Sequence, residues 1–194
     1  MGSSCSRISL VDSTLRTNTP LLVTGATGYL ASHIIKLLLQ QGYKVRGTVR
    51  SLANKDKYQF LYDLIPEKKQ NLELAEADLT DKASWGKAVE GIEYIFHVAS
   101  PIPPYIPKDE MEIIRPAIDG TLNVLEAAVQ KGAKKVVVTS SCLAIFVGNA
   151  GRVLTEDDWS KEEVIKGNPR VNYWQKELLG NSMKRTKIKL RWLL

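Results

Sequence analysis

Cysteine and histidine are scarce in this chain of 194 residues, with two of each: Cys5 and Cys142, His33 and His97. Two cysteines exclude a disulfide scaffold and carry no secretory signature. Two histidines leave little material for a zinc site, so no metal is expected. Long apolar runs are also lacking, and none approaches the roughly 18–20 residues that cross a bilayer. Over most of the chain there is no excess of one charge sign. The formal net charge is +6, but six of the 27 basic residues (Lys176, Lys184, Arg185, Lys187, Lys189, Arg191) crowd the last nineteen positions against one acid, Glu177. The rest carries 21 basic and 20 acidic residues. A protein that holds phosphate backbones spreads positive charge over a face or groove. A nucleic-acid partner is therefore not expected. What remains, 44% apolar and 25% charged, is an average globular balance with room for one ordinary domain. A cytoplasmic location follows as the expectation.

Residues 1–19 are rich in Ser, Thr and Arg without periodicity and read as a flexible leader. The start Met1-Gly2-Ser3-Ser4-Cys5-Ser6 also fits the pattern for N-myristoylation at Gly2, with Cys5 placed for a second acyl chain and peripheral membrane contact. That match is short, and a plain leader is the preferred reading. From residue 20 the text alternates. Strands are expected at 21–24, 43–49, 72–77, 92–99 and 134–139, and helices at 29–41, 54–65, 82–90 and 109–131. The first helix carries Leu30, Ile34, Leu37 and Leu38 with Gly42 as its stop. The last presents Ile114, Ile118, Leu122, Leu125 and Val129 as one stripe. Apolar strands alternating with amphipathic helices are what βαβ crossovers produce. The expected fold is α/β, a Rossmann-type doubly wound parallel sheet covered on both faces.

Three features carry chemistry. Val23-Thr24-Gly25-Ala26-Thr27-Gly28-Tyr29-Leu30-Ala31 closes the first strand and opens the first helix. There Gly25 permits the tight turn, Gly28 permits close approach of a pyrophosphate, and the helix N-terminus supplies N–H donors. Next, dinucleotide folds that prefer NAD carry an acid after the second strand to bind the ribose 2′-hydroxyl. This chain has Arg46 and Arg50 there, then Lys55 and Lys57, with no acid until Asp56. A guanidinium matches a 2′-phosphate in charge and shape, which points to NADP; a solvated basic strand is the alternative. Third, Thr139-Ser140-Ser141 ends the fifth strand, with Tyr173 and Lys176 further on. Ligands of such sheets bind off the carboxyl ends of the strands. A lysine beside a tyrosine lowers the phenol's pKa, and a serine can hold a substrate oxygen.

With these segments the chain resembles the extended short-chain dehydrogenase/reductases, and within them the dihydroflavonol reductase/cinnamoyl-CoA reductase-like group. The likeness rests on 23–32, on Gly42-Tyr43-Lys44-Val45-Arg46-Gly47-Thr48-Val49-Arg50, on Ala77-Asp78-Leu79-Thr80-Asp81, on Phe96-His97-Val98-Ala99-Ser100-Pro101, and on 116–127 and 136–141. The resemblance implies NADP bound by Gly25, Thr27, Gly28, Tyr29 and Leu30, with Arg50 and Lys57 on the 2′-phosphate. It places Asp78 and Leu79 by the adenine, and Val98, Ala99 and Thr139 along the ribose and nicotinamide. It implies Ser141 as the catalytic serine, Tyr173 as the general acid and Lys176 as the lysine of the pair. The implied reaction reduces the carbonyl of a small organic substrate.

The tail departs from that pattern. The family places its lysine four residues after the tyrosine, where this chain has Glu177; Lys176 comes one place early. One residue turns a side chain by roughly 100° around a helix. Past Tyr173 no likeness to the family is expected to survive, and residues 174–194 read as an atypical basic tail following an NADP-binding Rossmann domain at 20–173. The expectation is a C-terminally truncated sheet, without its last strands or substrate lobe, and a tail read out of frame. A non-catalytic dinucleotide-binding regulator is the competing reading for such a chain, and epimerases or hydroxysteroid dehydrogenases share the same fold.

Overall fold

The computed structural model describes residues 19–101, 109, 111–142, 145, 151–155 and 158, together with the backbone of 189–193. Gly2, Cys5, Tyr173 and Lys176 lie outside the described residues. Six strands form one sheet: β1 (Leu21–Val23), β2 (Val45–Val49), β3 (Leu72–Glu76), β4 (Tyr94–His97), β5 (Lys135–Thr139) and β6 (Lys189–Leu193). Their order is β3-β2-β1-β4-β5-β6 and every pairing is parallel. The chain winds outward from β1 in one direction, then returns past it to β4 and continues in the other. The expected Rossmann-type sheet is the one observed.

Successive β1 residues point to opposite faces, and each face has its own core. Leu21 and Val23 pack with Ile35 and Leu39 of α1 (Tyr29–Gln40) and Leu61 of α2 (Gln59–Asp63). Leu22 packs with Trp85 of α3 (Lys82–Ala88) and with Val124 and Leu125 of α4 (Met111–Gln130). Both faces are therefore covered, as all-parallel sheets require. The second helix is shorter than expected from 54–65. Tyr58, at φ −128°, separates a 3-10 turn at Lys55–Lys57 from α2.

Three sequence expectations need correction. In α1 the buried positions are Ala31, Ile35, Leu38 and Leu39, whereas Leu30 and Leu37 are exposed. Two stripes at helical spacing exist in this leucine-rich helix, and the one containing the small Ala31 brings the helix closer to the sheet. In α4 the expected stripe holds at Ile114 and Leu125, which are buried, and fails at Val129, which is exposed; small residues, Ala117, Gly120, Thr121, Ala127 and Ala128, widen the buried face beyond that stripe. A Cβ at Gly120 would stand 3.0 Å from the Leu79 Cβ, which explains why bulk is excluded there. The third correction concerns the tail: Lys189–Leu193 supplies a sixth strand beside β5, pairing Val136 with Leu190 and Val138 with Trp192. Lys189, Leu190, Arg191 and Trp192 alternate charged and apolar, the period of a strand. The tail's charge count conceals that signal.

Candidate functional site

The strand order reverses between β1 and β4, and the turn leaving β1 sits at that point. Crevices outside the carboxyl ends of strands at such a reversal are where open α/β sheets bind ligands. Gly25 adopts φ +67°, which an L side chain resists, and a Cβ there would lie 3.0 Å from the Ala99 Cβ. The turn's first amides are used by the fold. Gly25 N donates to Thr48 Oγ1 at 3.0 Å, Ala26 N to the Thr48 carbonyl at 2.8 Å, and Gly28 N to the Gly25 carbonyl at 2.9 Å. Gly28 is the N-cap of α1 and makes no side-chain cap; no acid occupies the first turn. The amides of Tyr29, Leu30 and Ala31 have no intrahelical acceptor. They open onto a surface at which Thr27, Gly28, Tyr29 and Leu30 are exposed. Uncapped donors at the positive end of a helix dipole fit an anion such as a pyrophosphate.

The two arginines of β2 separate by function. Arg46 lies near the start of the strand, away from this crevice. Its guanidinium pairs with Glu73 and donates to the Ala88 carbonyl at 3.0 Å and the Glu90 carbonyl at 2.7 Å. It ties β2 to β3 and to the C-terminal end of α3, and is not available to a ligand. Arg50 follows the last residue of β2 and is exposed, as is Lys57. Beyond β3, the Asp78 carboxylate accepts from the Thr80 hydroxyl at 2.6 Å and the Thr80 amide at 2.8 Å. These bonds, with a smaller contribution from the Arg50 charge, hold its carboxyl below the usual carboxylate range. The backbone here is pinned: the Trp85 indole donates to the Asp78 carbonyl at 2.8 Å, and the Asn123 side-chain amide to the Leu79 carbonyl at 2.8 Å. Asn123 lies in a segment that carries the family resemblance, yet nothing in the sequence assigns it this contact.

Beyond β4, Val98 and Ala99 are held by a network that the sequence does not announce. Their amides both donate to Thr24 Oγ1, at 2.9 and 3.0 Å. That oxygen stands 2.9 Å from His97 Nδ1. With two donors already directed at it, the hydroxyl must give its own proton to Nδ1. The ring proton then belongs on Nε2, which faces Thr121 Oγ1 at 3.5 Å. His97 is buried, and burial lowers its imidazole to about 4. It is a neutral structural clasp. A polar Thr24 closing the apolar run of β1, and a histidine within a buried strand, are the only sequence signals of it.

At the end of β5, Thr139 and Ser141 are half-buried. Ser140 is buried, and its hydroxyl has no partner among the described residues. The structure thus brings Thr27, Gly28, Tyr29, Leu30, Arg50, Asp78, Leu79, Val98, Ala99, Thr139 and Ser141 to the carboxyl ends of four neighbouring strands and the turn leaving β1. Tyr173 and Lys176 lie outside the described residues. Among the described residues, no helix is long and apolar enough to cross a membrane.

This arrangement is that of an α/β domain of the Rossmann type. The chain belongs to the NAD dependent epimerase/dehydratase family, whose model matches residues 21–185. That match runs past Tyr173 and corrects the expectation that no likeness survives beyond it. The chain is 40% identical over 161 residues to tetraketide alpha-pyrone reductase 2 of Arabidopsis thaliana, covering 79% of this chain and 48% of that protein. Among solved structures it is similar to vestitone reductase from alfalfa (Medicago sativa), with TM-score 0.73 and 33% identity over 91% of this chain and 56% of that one. It is also similar to Gre2 of Candida albicans in complex with NADPH, with TM-score 0.71 and 31% identity over 90% of this chain and 56% of that one. These relatives bear out the resemblance to the dihydroflavonol reductase/cinnamoyl-CoA reductase-like group. The chain spans about half the length of the curated relatives it matches.

Proposed function

We propose that this chain is the cofactor-binding portion of an NADP-dependent reductase acting on the carbonyl of a small organic molecule. The observation that carries the reading is the exposed cation Arg50 at the end of β2, at the position where an NAD-selective site would place an acid. Arg50 and Lys57 hold the 2′-phosphate, and the uncapped amides of Tyr29 and Leu30 hold the pyrophosphate. Asp78 and Leu79 border the adenine, and Val98, Ala99 and Thr139 line the path to the nicotinamide. When bound, NADPH supplies hydride. The chain's own residues do the rest: the Ser141 hydroxyl holds the substrate oxygen and Tyr173 delivers a proton to it, while Lys176, one place short of the family's lysine position, is the cation nearest in sequence to lower the phenol's pKa.

The test is NADPH consumption, followed at 340 nm with a panel of aromatic and aliphatic ketones and aldehydes. Turnover that Ser141→Ala and Tyr173→Phe each lower by at least about a hundredfold would support reductase chemistry. Binding of NADPH with no turnover on any carbonyl would assign this chain to dinucleotide binding without catalysis.

A further inference from the structure

We propose that Thr48, a buried residue of β2, is the positioning residue for the glycine-rich turn; the proposal rests on the dinucleotide reading of that turn. Thr48 is 1% exposed, and it serves the turn twice. Its hydroxyl oxygen accepts the Gly25 amide at 3.0 Å, and its carbonyl accepts the Ala26 amide at 2.8 Å. Its neighbour Gly47 leaves the space that Ala26 fills, because a Cβ at position 47 would stand 2.8 Å from the Ala26 Cβ. From the other side the turn is blocked by Ala99, which would lie 3.0 Å from any Cβ at Gly25. The turn is therefore wedged between β2 and β4, with the Thr48 hydroxyl accepting its first amide.

An amide at such a place needs an acceptor. Valine at 48 would keep the shape of threonine and remove the acceptor. The Gly25 amide could then find a partner only by moving away from the sheet, which displaces the α1 donors at Tyr29 and Leu30 that follow within one turn of chain. Thr48 also precedes Arg50 by two residues. One strand end thus sets both the height of the pyrophosphate donors and the place of the 2′-phosphate cation. Loss of the Thr48 hydroxyl should weaken NADPH and NADH alike, whereas loss of Arg50 should weaken NADPH alone.

The experiment uses the full chain with Thr48→Val, Thr48→Ser and Arg50→Ala, titrated with NADPH and with NADH, and compares hydrogen exchange of the Gly25 amide by NMR. Thr48→Val should lose about tenfold in affinity for both nucleotides with their ratio unchanged. Thr48→Ser should bind as the unaltered chain does, and Gly25 should exchange faster in Thr48→Val than in Thr48→Ser. Unchanged binding in Thr48→Val overturns the proposal. So does an equal loss in Thr48→Ser, which would make the methyl group the part that matters. Should Thr48→Val fail to fold, exchange of Gly25 in the unaltered chain at the rate of a free amide overturns it as well. If the unaltered chain binds neither nucleotide, the dinucleotide reading fails, and the exchange comparison alone decides what Thr48 does.

Discussion

Acid should unlock this domain through His97 before most of its carboxylates are neutralised. The imidazole is 2% exposed, faces two threonine hydroxyls, and is lowered by burial to about 4 from an ordinary 6.5. The folded form therefore binds the proton less well than the unfolded form does. Stability from this group is complete above pH 6.5 and falls as the pH drops, until the loss levels off below about 4. At about 1.4 kcal/mol per tenfold change in proton affinity, the whole loss is about 3 kcal/mol. That is a large part of the margin of a small domain. The structural cause is specific. Protonation puts a hydrogen on Nδ1, facing a Thr24 oxygen that already receives the Val98 and Ala99 amides. The assay is urea unfolding at intervals from pH 7.5 to 4.5 for the unaltered chain and for His97→Gln. Carboxylates titrate in both proteins, so the difference between the curves isolates the histidine. A difference that changes by about 2.5 kcal/mol across this range is expected. Parallel curves would refute the reasoning, as would a ¹⁵N spectrum placing the ring proton on Nδ1 at neutral pH.

Other outcomes follow from single residues. Arg46→Ala should lower stability by about 1–3 kcal/mol, since the Ala88 and Glu90 carbonyls lose a charged donor; chemical denaturation measures it. The same variant should leave the NADPH-to-NADH affinity ratio unchanged, and a collapse of that ratio would return Arg46 to the binding site. Gly25→Ala should cost about 1–2 kcal/mol for its φ of +67° and more for the Ala99 contact. A melting temperature equal to that of the unaltered chain would contradict the turn geometry.

The glycine turn and the strand–helix alternation were legible because both are local: a positive-φ glycine, a helix start and an apolar run each show in a few consecutive residues. Arg46 and Arg50 could not be told apart that way. They stand four residues apart, one on β2 and one just past its end, and only the partners of Arg46, from β3 and the end of α3, show that it is committed to the fold. Thr24 and His97 are 73 residues apart, so their bond leaves no spacing signal. The stripe of α1 is misplaced because helical periodicity admits more than one face in a leucine-rich helix, and close packing against the sheet selects the face that carries Ala31; in α4 the stripe holds at Ile114 and Leu125 and fails only at its last member, Val129. The sixth strand went unseen because its alternation is short and lies in a segment dominated by charge.

On the proposed reading, this crevice binds a nicotinamide dinucleotide and selects its 2′-phosphate through Arg50. A fluorescence titration of the chain and of Arg50→Ala, with NADPH and separately with NADH, tests it most directly. A charge-assisted contact of about 1.5–3 kcal/mol corresponds to a preference for NADPH of about ten- to a hundredfold. That preference should largely disappear in Arg50→Ala while NADH binding stays the same. Equal affinity for the two nucleotides in the unaltered chain, or a preference that survives Arg50→Ala intact, would contradict the account.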